Sequence, residues 1–134
     1  MELPQGSIIA SGPVIIEDGK VLLNREQKDH GVSDWFFPGG KVEDFDTTLK
    51  EACHREVKEE MGLEIEITKP LKTIMYQDER NNRICILVHW LADRVQGSEV
   101  EPAKFIADWA WHDINDLPDN CADNVVEIIS EFNS

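Results

Sequence analysis

Glu56, Glu59 and Glu60 stand within the run Arg55-Glu56-Val57-Lys58-Glu59-Glu60. Carboxylates this close repel one another unless something positive lies between them. Hard oxygen ligands suit Mg2+ or Mn2+, so a divalent cation is the first chemistry to consider. The plain alternative is a solvated acidic helix face, the usual fate of such charges. The spacing argues against it. On a helix that turns about 100° per residue, Leu49, Ala52, Cys53, Val57 and Met61 share one broad face. Glu51, His54, Arg55 and Lys58 lie opposite. Glu56 and Glu60 fall inside the apolar arc and Glu59 at its edge. A carboxylate turned toward a core is costly unless it is paired or bound to a cation. The i, i+3, i+4 spacing predicts that all three converge on one patch.

The elements around this helix must place it. Thr48 with Glu51 reads as a capping box, so the helix starts there, and Gly62 stops it. Gly39 and Gly40 precede it, where backbone can approach a ligand closely. Ser7 to Ile16 has the β-branched composition of a strand, Asp18-Gly19 that of a hairpin turn, and Lys20 to Asn24 that of a returning strand. Arg25 to Ser33 reads as a polar loop, and Trp35 to Phe37 as a short aromatic strand stopped by Pro38. Strands follow across Leu63 to Asp78 with a bend at Pro70, then a turn at Asn81-Asn82. Arg83 to Ala92 is the most apolar strand, Asp93 to Pro102 an acidic loop, and Phe105 to Trp111 a last strand. Ala122 to Phe132 reads as an amphipathic helix with Val125, Val126, Ile128, Ile129 and Phe132 on its apolar face.

The chain of 134 residues fits one domain spanning 1–134. Its net charge of -14 and the lack of a basic patch argue against duplex nucleic acid and acidic membrane surfaces as partners. A small anionic molecule is a partner only where cations screen the field. Cys53, Cys85 and Cys121 are odd in number and far apart, which suggests free thiols in a reducing cytoplasm rather than a disulfide framework or a zinc site. The N-terminus shows no basic segment leading into an apolar run, and no stretch is long and apolar enough to span a membrane.

The stretch from Phe37 to Leu63 resembles the Nudix box, G-x5-E-x7-R-E-U-x-E-E-x-G-U, where U is aliphatic. Its second half is complete as Arg55-Glu56-Val57-Lys58-Glu59-Glu60-Met61-Gly62-Leu63, and its first half is present as Pro38-Gly39-Gly40-Lys41-Val42-Glu43. From Gly40 to Arg55 the chain is one residue longer than the pattern, and the first motif glutamate is missing. Asp46 is the expected stand-in, on a loop with a one-residue insertion. Trp109-Ala110-Trp111, then Asp116-Leu117-Pro118 and a terminal helix, look like the closing segment of many Nudix domains.

The resemblance implies an α/β fold, an α/β/α sandwich around a mixed sheet. It implies hydrolysis of a nucleoside diphosphate linked to another group, a small-molecule nucleotide substrate, and a homodimer as one possible assembly. Glu56, Glu59 and Glu60 would hold Mg2+ (or Mn2+), with the Gly39 carbonyl as a further ligand. Glu59 or Glu60 would act as base, with Glu99 or Glu101 of the acidic loop as alternatives, and Arg55 would orient the cluster. Arg25 and Lys41 are expected near phosphates. Of Trp35, Tyr76, Trp90 and Trp109, Trp35 is the expected base-stacking aromatic. His30, His54, His89 and His112 show no ligand spacing and read as structural or exposed. Past the box, Gln77-Asp78-Glu79-Arg80 lacks the proline typical of ADP-ribose enzymes and the tyrosine of dinucleoside polyphosphate enzymes. The compact length and the segment Trp35 to Glu43 look most like mutator-type nucleoside triphosphate pyrophosphohydrolases. An ADP-ribose or nucleotide-sugar pyrophosphatase and a non-catalytic nucleotide-binding module are the alternatives.

Overall fold

The computed structural model describes residues 2–133. Strand β1 (Ile8–Glu17) meets β2 (Lys20–Lys28) through Asp18 and Gly19, whose φ values of 51° and 76° make the two-residue turn that hairpin twist favours. The remaining elements are β3 (Gly31–Val32), β4 (Gly40–Lys41), α1 (Leu49–Met61), β5 (Ile65–Pro70), β6 (Ile74–Asp78), β7 (Arg83–Arg94), β8 (Ile106–Asp113) and α2 (Asp123–Ile129). The main path of the sheet runs β3-β2-β1-β7-β5, with β4 on β1, β6 on β7 and β8 on β2. β1 and β7 are parallel from Ile8 opposite Cys85 to Ile15 opposite Ala92, and the other pairings are antiparallel. The sheet is therefore mixed.

Successive strand residues point to opposite faces, and the core divides accordingly. Ile15 and Leu22 pack with Cys53, Val57 and Met61 of α1. Their neighbours Val14, Val21 and Leu23 pack with Val125, Ile128 and Ile129 of α2. The architecture is the expected α/β/α sandwich. Each such fully buried side chain contributes about 1.5–3 kcal/mol of transfer free energy.

Three expectations change. The polar stretch from Arg25 is strand as far as Lys28, not loop. The backbone of Arg25 and Glu26 pairs with Asp108 and Ile106 of β8, and Gln27 and Lys28 pair with Val32 and Gly31. A strand at the rim needs backbone partners but no apolar side chains, so composition hid it. Leu49 is 39% exposed rather than buried, because it sits in the first turn of α1, beyond the sheet's cover. Helix α2 ends at Ile129, and Val126 is 52% exposed. Its apolar stripe is the narrower set Val125, Ile128 and Ile129 at i, i+3, i+4.

Thr48 caps α1 by accepting the Glu51 N–H at 3.0 Å. The returning half of the box is shifted by one residue, since the Glu51 carboxylate accepts from the Thr47 N–H and hydroxyl. Gly62 ends the helix in the left-handed region at φ 68°, its N–H donating to the Lys58 carbonyl.

Candidate active site

Two glycines make the crossing on which the site is built. Gly12 of β1 and Gly39 touch backbone to backbone: a Cβ on Gly39 would lie 2.6 Å from the Gly12 Cα, and one on Gly12 would strike the Pro38 carbonyl. Gly39 has a φ of 136°, which disfavours any side chain there as well. This contact presses the Pro38-Gly39-Gly40 turn against the C-terminal half of α1. A Cβ on Gly40 would collide with the Glu56 carboxylate.

Glu60 enters this junction from the helix and is 4% exposed. Its Oε1 accepts from Asn24 Nδ2 at 2.6 Å and from the Gly39 N–H at 3.1 Å. Asn24 is itself 2% exposed and sits on β2. Burial pushes the Glu60 carboxyl up to about 8, while the two hydrogen bonds pull the other way and the charges of Glu26 and Glu56 add to the rise. Two neutral donors do not compensate a buried carboxylate. Glu56 is also raised, again chiefly by burial, with Arg55 opposing.

Arg55 is held on all sides. Its Nε and Nη2 donate to Asp46 Oδ1 and Oδ2, both at 2.8 Å, in the bidentate fork that suits a guanidinium. Nη2 also donates to the Lys41 carbonyl at 3.2 Å. Nη1 donates to Glu56 Oε1 at 2.9 Å and to Glu59 Oε2 at 3.0 Å. The Phe45 ring covers the guanidinium at 4.9 Å. Asp46, the expected stand-in for the missing glutamate, is ion-paired with Arg55, and Arg55 orients two of the three glutamates.

A cleft of about 490 Å³ opens beside this junction. Glu56, Glu60, Gly39, Gly40 and Lys41 line one part of it. Ala10, Leu87, Phe37, His89 and Asn124 line another, with Tyr76 and Arg83 from the β6–β7 hairpin. Lys28, Lys41 and Arg83 are the lining cations in a chain of net charge -14.

The matches to known proteins agree with this architecture. The NUDIX domain model matches residues 8–132. The chain belongs to the Nudix family. The nucleoside triphosphatase NudI of Escherichia coli is 31% identical over 116 residues, covering 78% of this chain and 81% of that protein. An oxidized purine nucleoside triphosphate hydrolase of Danio rerio is 26% identical over 105 residues, and the match covers 65% of its length. The crystal structure of a MutT NUDIX hydrolase from Burkholderia pseudomallei has the same fold, with a TM-score of 0.82 at 23% identity, covering 96% of this chain and 100% of that one.

The Nudix helix does not present its three glutamates as one group. Among the described residues, no three Asp, Glu, His or Cys side chains are gathered so as to hold an ion. Glu56 and Glu60, four residues apart, line the cleft, while the Glu59 side chain is 59% exposed and lies outside it. The wheel placed Glu59 at the edge of the arc, and the edge is where solvent begins. The donor set still fits a hard divalent cation. It is all oxygen, Glu60 lacks a compensating charge, and Gly40 leaves room at Glu56 where any side chain would intrude.

Lys41 lines the cleft as expected. Arg25 and Trp35 do not. Arg25 donates from Nε to the Ser33 carbonyl at 2.7 Å and sits over the Trp35 ring, and Trp35 is 7% exposed in the core against His112. Odd positions on β2 face away from Asn24, which puts Arg25 on the other side of the strand. Glu99 pairs with Arg94 at 3.4 Å and neither it nor Glu101 lines the cleft. Glu26, Lys28 and Asn124 line it and were not expected there, and His89, expected to be structural or exposed, lines it as well. Glu26 and Lys28 follow Asn24 at period two, a signal that reading the stretch as loop concealed. Among the described residues no helix is long and apolar enough to cross a membrane.

Proposed function

We propose that this Nudix hydrolase cleaves a nucleoside triphosphate to the monophosphate and pyrophosphate. The observation that carries this reading is the cleft itself. It joins the carboxylates of Glu60, buried, and Glu56, half-buried, to an apolar floor at Ala10 and Leu87 with polar groups at its wall. The first part suits a polyphosphate with its cations and the second a planar base. The 31% identity to a protein named nucleoside triphosphatase supports the same substrate class.

Glu56 and Glu60 would hold Mg2+ or Mn2+, with the Gly39 carbonyl at the wall and Glu59 reaching in from the rim. Such an ion, when bound, neutralises the phosphates, polarises phosphorus and lowers the pKa of water. The chain supplies the rest. Arg55 bridges Glu56 and Glu59 and keeps both aimed. Lys41 and Lys28 offer ammonium groups to the phosphates. Of the two proposed bases, Glu60 lines the cleft, and Glu59 reaches it only by turning its exposed side chain. The Gly12–Gly39 contact fixes the wall against which the phosphates are oriented.

A hydrolysis panel of nucleoside triphosphates, ADP-ribose and a nucleotide sugar, with Mg2+ and pyrophosphate release as readout, tests this. Turnover of a triphosphate, lost in EDTA and restored by Mg2+, is expected. Turnover of ADP-ribose alone would replace the substrate. If nothing in the panel is cleaved while nucleotide still binds, the chain is a binding module.

A further inference from the structure

The two carboxylates that line the cleft are held in different ways. Glu56 keeps Oε1 on the charged Arg55 Nη1 at 2.9 Å. The donors to Glu60 are neutral, and both meet the same oxygen. Asn24 Nδ2 reaches Oε1 at 2.6 Å and the Gly39 N–H reaches it at 3.1 Å. Among the described residues no donor meets Oε2, so Oε2 is the oxygen that Glu60 leaves to the cleft.

Both donors are fixed by main-chain pairing. The Asn24 N–H donates to the Phe36 carbonyl and the Phe36 N–H to the Asn24 carbonyl, each at 2.9 Å. On its other edge Asn24 lies opposite Trp109 in the register of β2 with β8. Phe36 stands three residues before Gly39, so β2 holds the segment that carries the second donor. The helix end is held as well. The Glu60 carbonyl accepts the Ala103 N–H at 2.9 Å, and the Met61 carbonyl accepts the Glu101 N–H at 2.8 Å. Neither the donors nor the carboxylate can retreat without breaking backbone hydrogen bonds.

We propose that Asn24 is a positioning residue that confines Glu60 to ligation through Oε2 alone, and so biases the site toward Mg2+ and against Ca2+. The inference rests on the reading of Glu60 as a cation ligand and deepens it. A carboxylate with one oxygen occupied offers a cation one ligand atom. Mg2+ is small and demands near-octahedral geometry, which single-oxygen ligands and water satisfy, whereas Ca2+ takes more oxygens and accepts a carboxylate by both. Asn24 needs no contact with the cation in this role, because it acts through Glu60. Partners that orient a ligand in this way are worth roughly tenfold or more in metal affinity.

Mn2+ binding followed by its EPR signal, with Mg2+ and Ca2+ as competitors and no nucleotide present, tests this. The wild type should bind Mg2+ more tightly than Ca2+. Asn24→Leu keeps the branched shape and removes the donor. It should weaken Mg2+ by roughly tenfold or more and Ca2+ by less, bringing their ratio toward one. Loss of packing alone would weaken both equally, so a ratio unmoved by Asn24→Leu overturns the inference and leaves the cation reading intact. In a Glu60→Gln background the same change should leave the ratio where it is, and a shift there overturns the route through Glu60. A wild type that binds no Mn2+ overturns both readings.

Should Asn24→Leu fail to fold, the wild-type protein decides. In 1H–15N spectra the Asn24 amide proton bonded to Oε1 should lie downfield and stay there when Mg2+ is added. Its return to the position of a solvated amide means that Glu60 turns both oxygens to the ion, and overturns the inference.

Discussion

Glu60→Gln should make the metal-free protein more stable at neutral and alkaline pH. The side chain is 4% exposed, and burial pushes its carboxyl from 4.5 to about 8. The unfolded chain releases this proton near 4.5, whereas the folded chain keeps it until about 8. Between those values the native state binds more protons, so its stability falls as pH rises. Any benefit of the protonated group is complete below 4.5 and is gone above 8. At about 1.4 kcal/mol per pKa unit, the shift amounts to roughly 5 kcal/mol, a ceiling that water entry and relaxation reduce. Glutamine has the same shape, can still accept from Asn24 and the Gly39 N–H, and never ionises. Urea unfolding of both proteins in EDTA from pH 4.5 to 8.5 is the assay, and the difference between them isolates Glu60 from other titrating groups. The wild type should lose several kcal/mol relative to the variant across this range. Adding Mg2+ at pH 8.5 should restore the wild type more than the variant, because ligand bound only to the folded state stabilises it by mass action. Parallel stability curves would show that Glu60 is compensated by the protein alone, and the argument for a cation at this carboxylate would fail.

The two glycine walls should separate in their effects. Gly12→Ala drives a methyl into the Pro38 backbone and should cost about 1–3 kcal/mol or more in denaturant unfolding, whereas Gly40→Ala meets only the end of the Glu56 side chain and should lower kcat with a smaller loss of stability. Asp46→Asn keeps the shape of the fork and removes its charge, and should lower kcat/KM or Mg2+ affinity by roughly tenfold or more, as loss of an orienting partner does. Arg55 holds the Asp46 carboxyl down at about 2, so the stability it adds is present above its unfolded value of 3.8 and is lost as pH falls toward 2. Acid titration of unfolding should lose that component in the variant, and an unchanged acid limb would count against the ion pair. Met61→Ala, at a fully buried position in the α1 layer, should cost about 2–5 kcal/mol without changing KM.

The parts of this molecule that were legible in the sequence are those where local chemistry is sufficient. Thr48, Gly62 and Asp18-Gly19 fix their own backbone, and the β-branched composition of Ser7 to Ile16 marks its strand, whereas the division of the core between two helices at Val14-Ile15 and Val21-Leu22 appears only in the packing. The spacing from Arg55 to Gly62 carries the inward turn of Glu56 and Glu60 and the stop at Gly62, but not the position of Glu59, which lies outside the cleft. What was not legible depends on partners distant in the chain. The strand from Arg25 to Lys28 exists because β8 and β3 supply its hydrogen bonds, and nothing within those four residues says so. Trp35 reads equally well as a stacking platform or as core, and only its contact with His112 and Arg25 decides. His89 reads as structural or exposed because a lone histidine in an apolar strand has no spacing signal; that it is buried and held depends on Lys72 and Asn124, 17 and 35 residues away.

The loop before the helix shows how a departure from the motif can preserve its physics. An aspartate reaches one methylene less far than the glutamate it replaces. Here the connection from Gly40 to Arg55 is also one residue longer, and Asp46 arrives at the guanidinium with both oxygens 2.8 Å from its nitrogens. The extra backbone makes up the lost reach. The loop is tied off by its own side chains: Asp46 Oδ2 also accepts the Glu43 N–H at 2.8 Å, and Phe45 lies over the guanidinium. The cost of the longer loop is small, because closure entropy grows only slowly with length. Arg55 is thereby anchored from the loop side, independently of the glutamates, and its Nη1 alone bridges Glu56 and Glu59. Those carboxylates can exchange one donor for a cation without leaving the arginine unpaired, whereas an Arg55 that relied on them would have to give up its only partners when the cation bound.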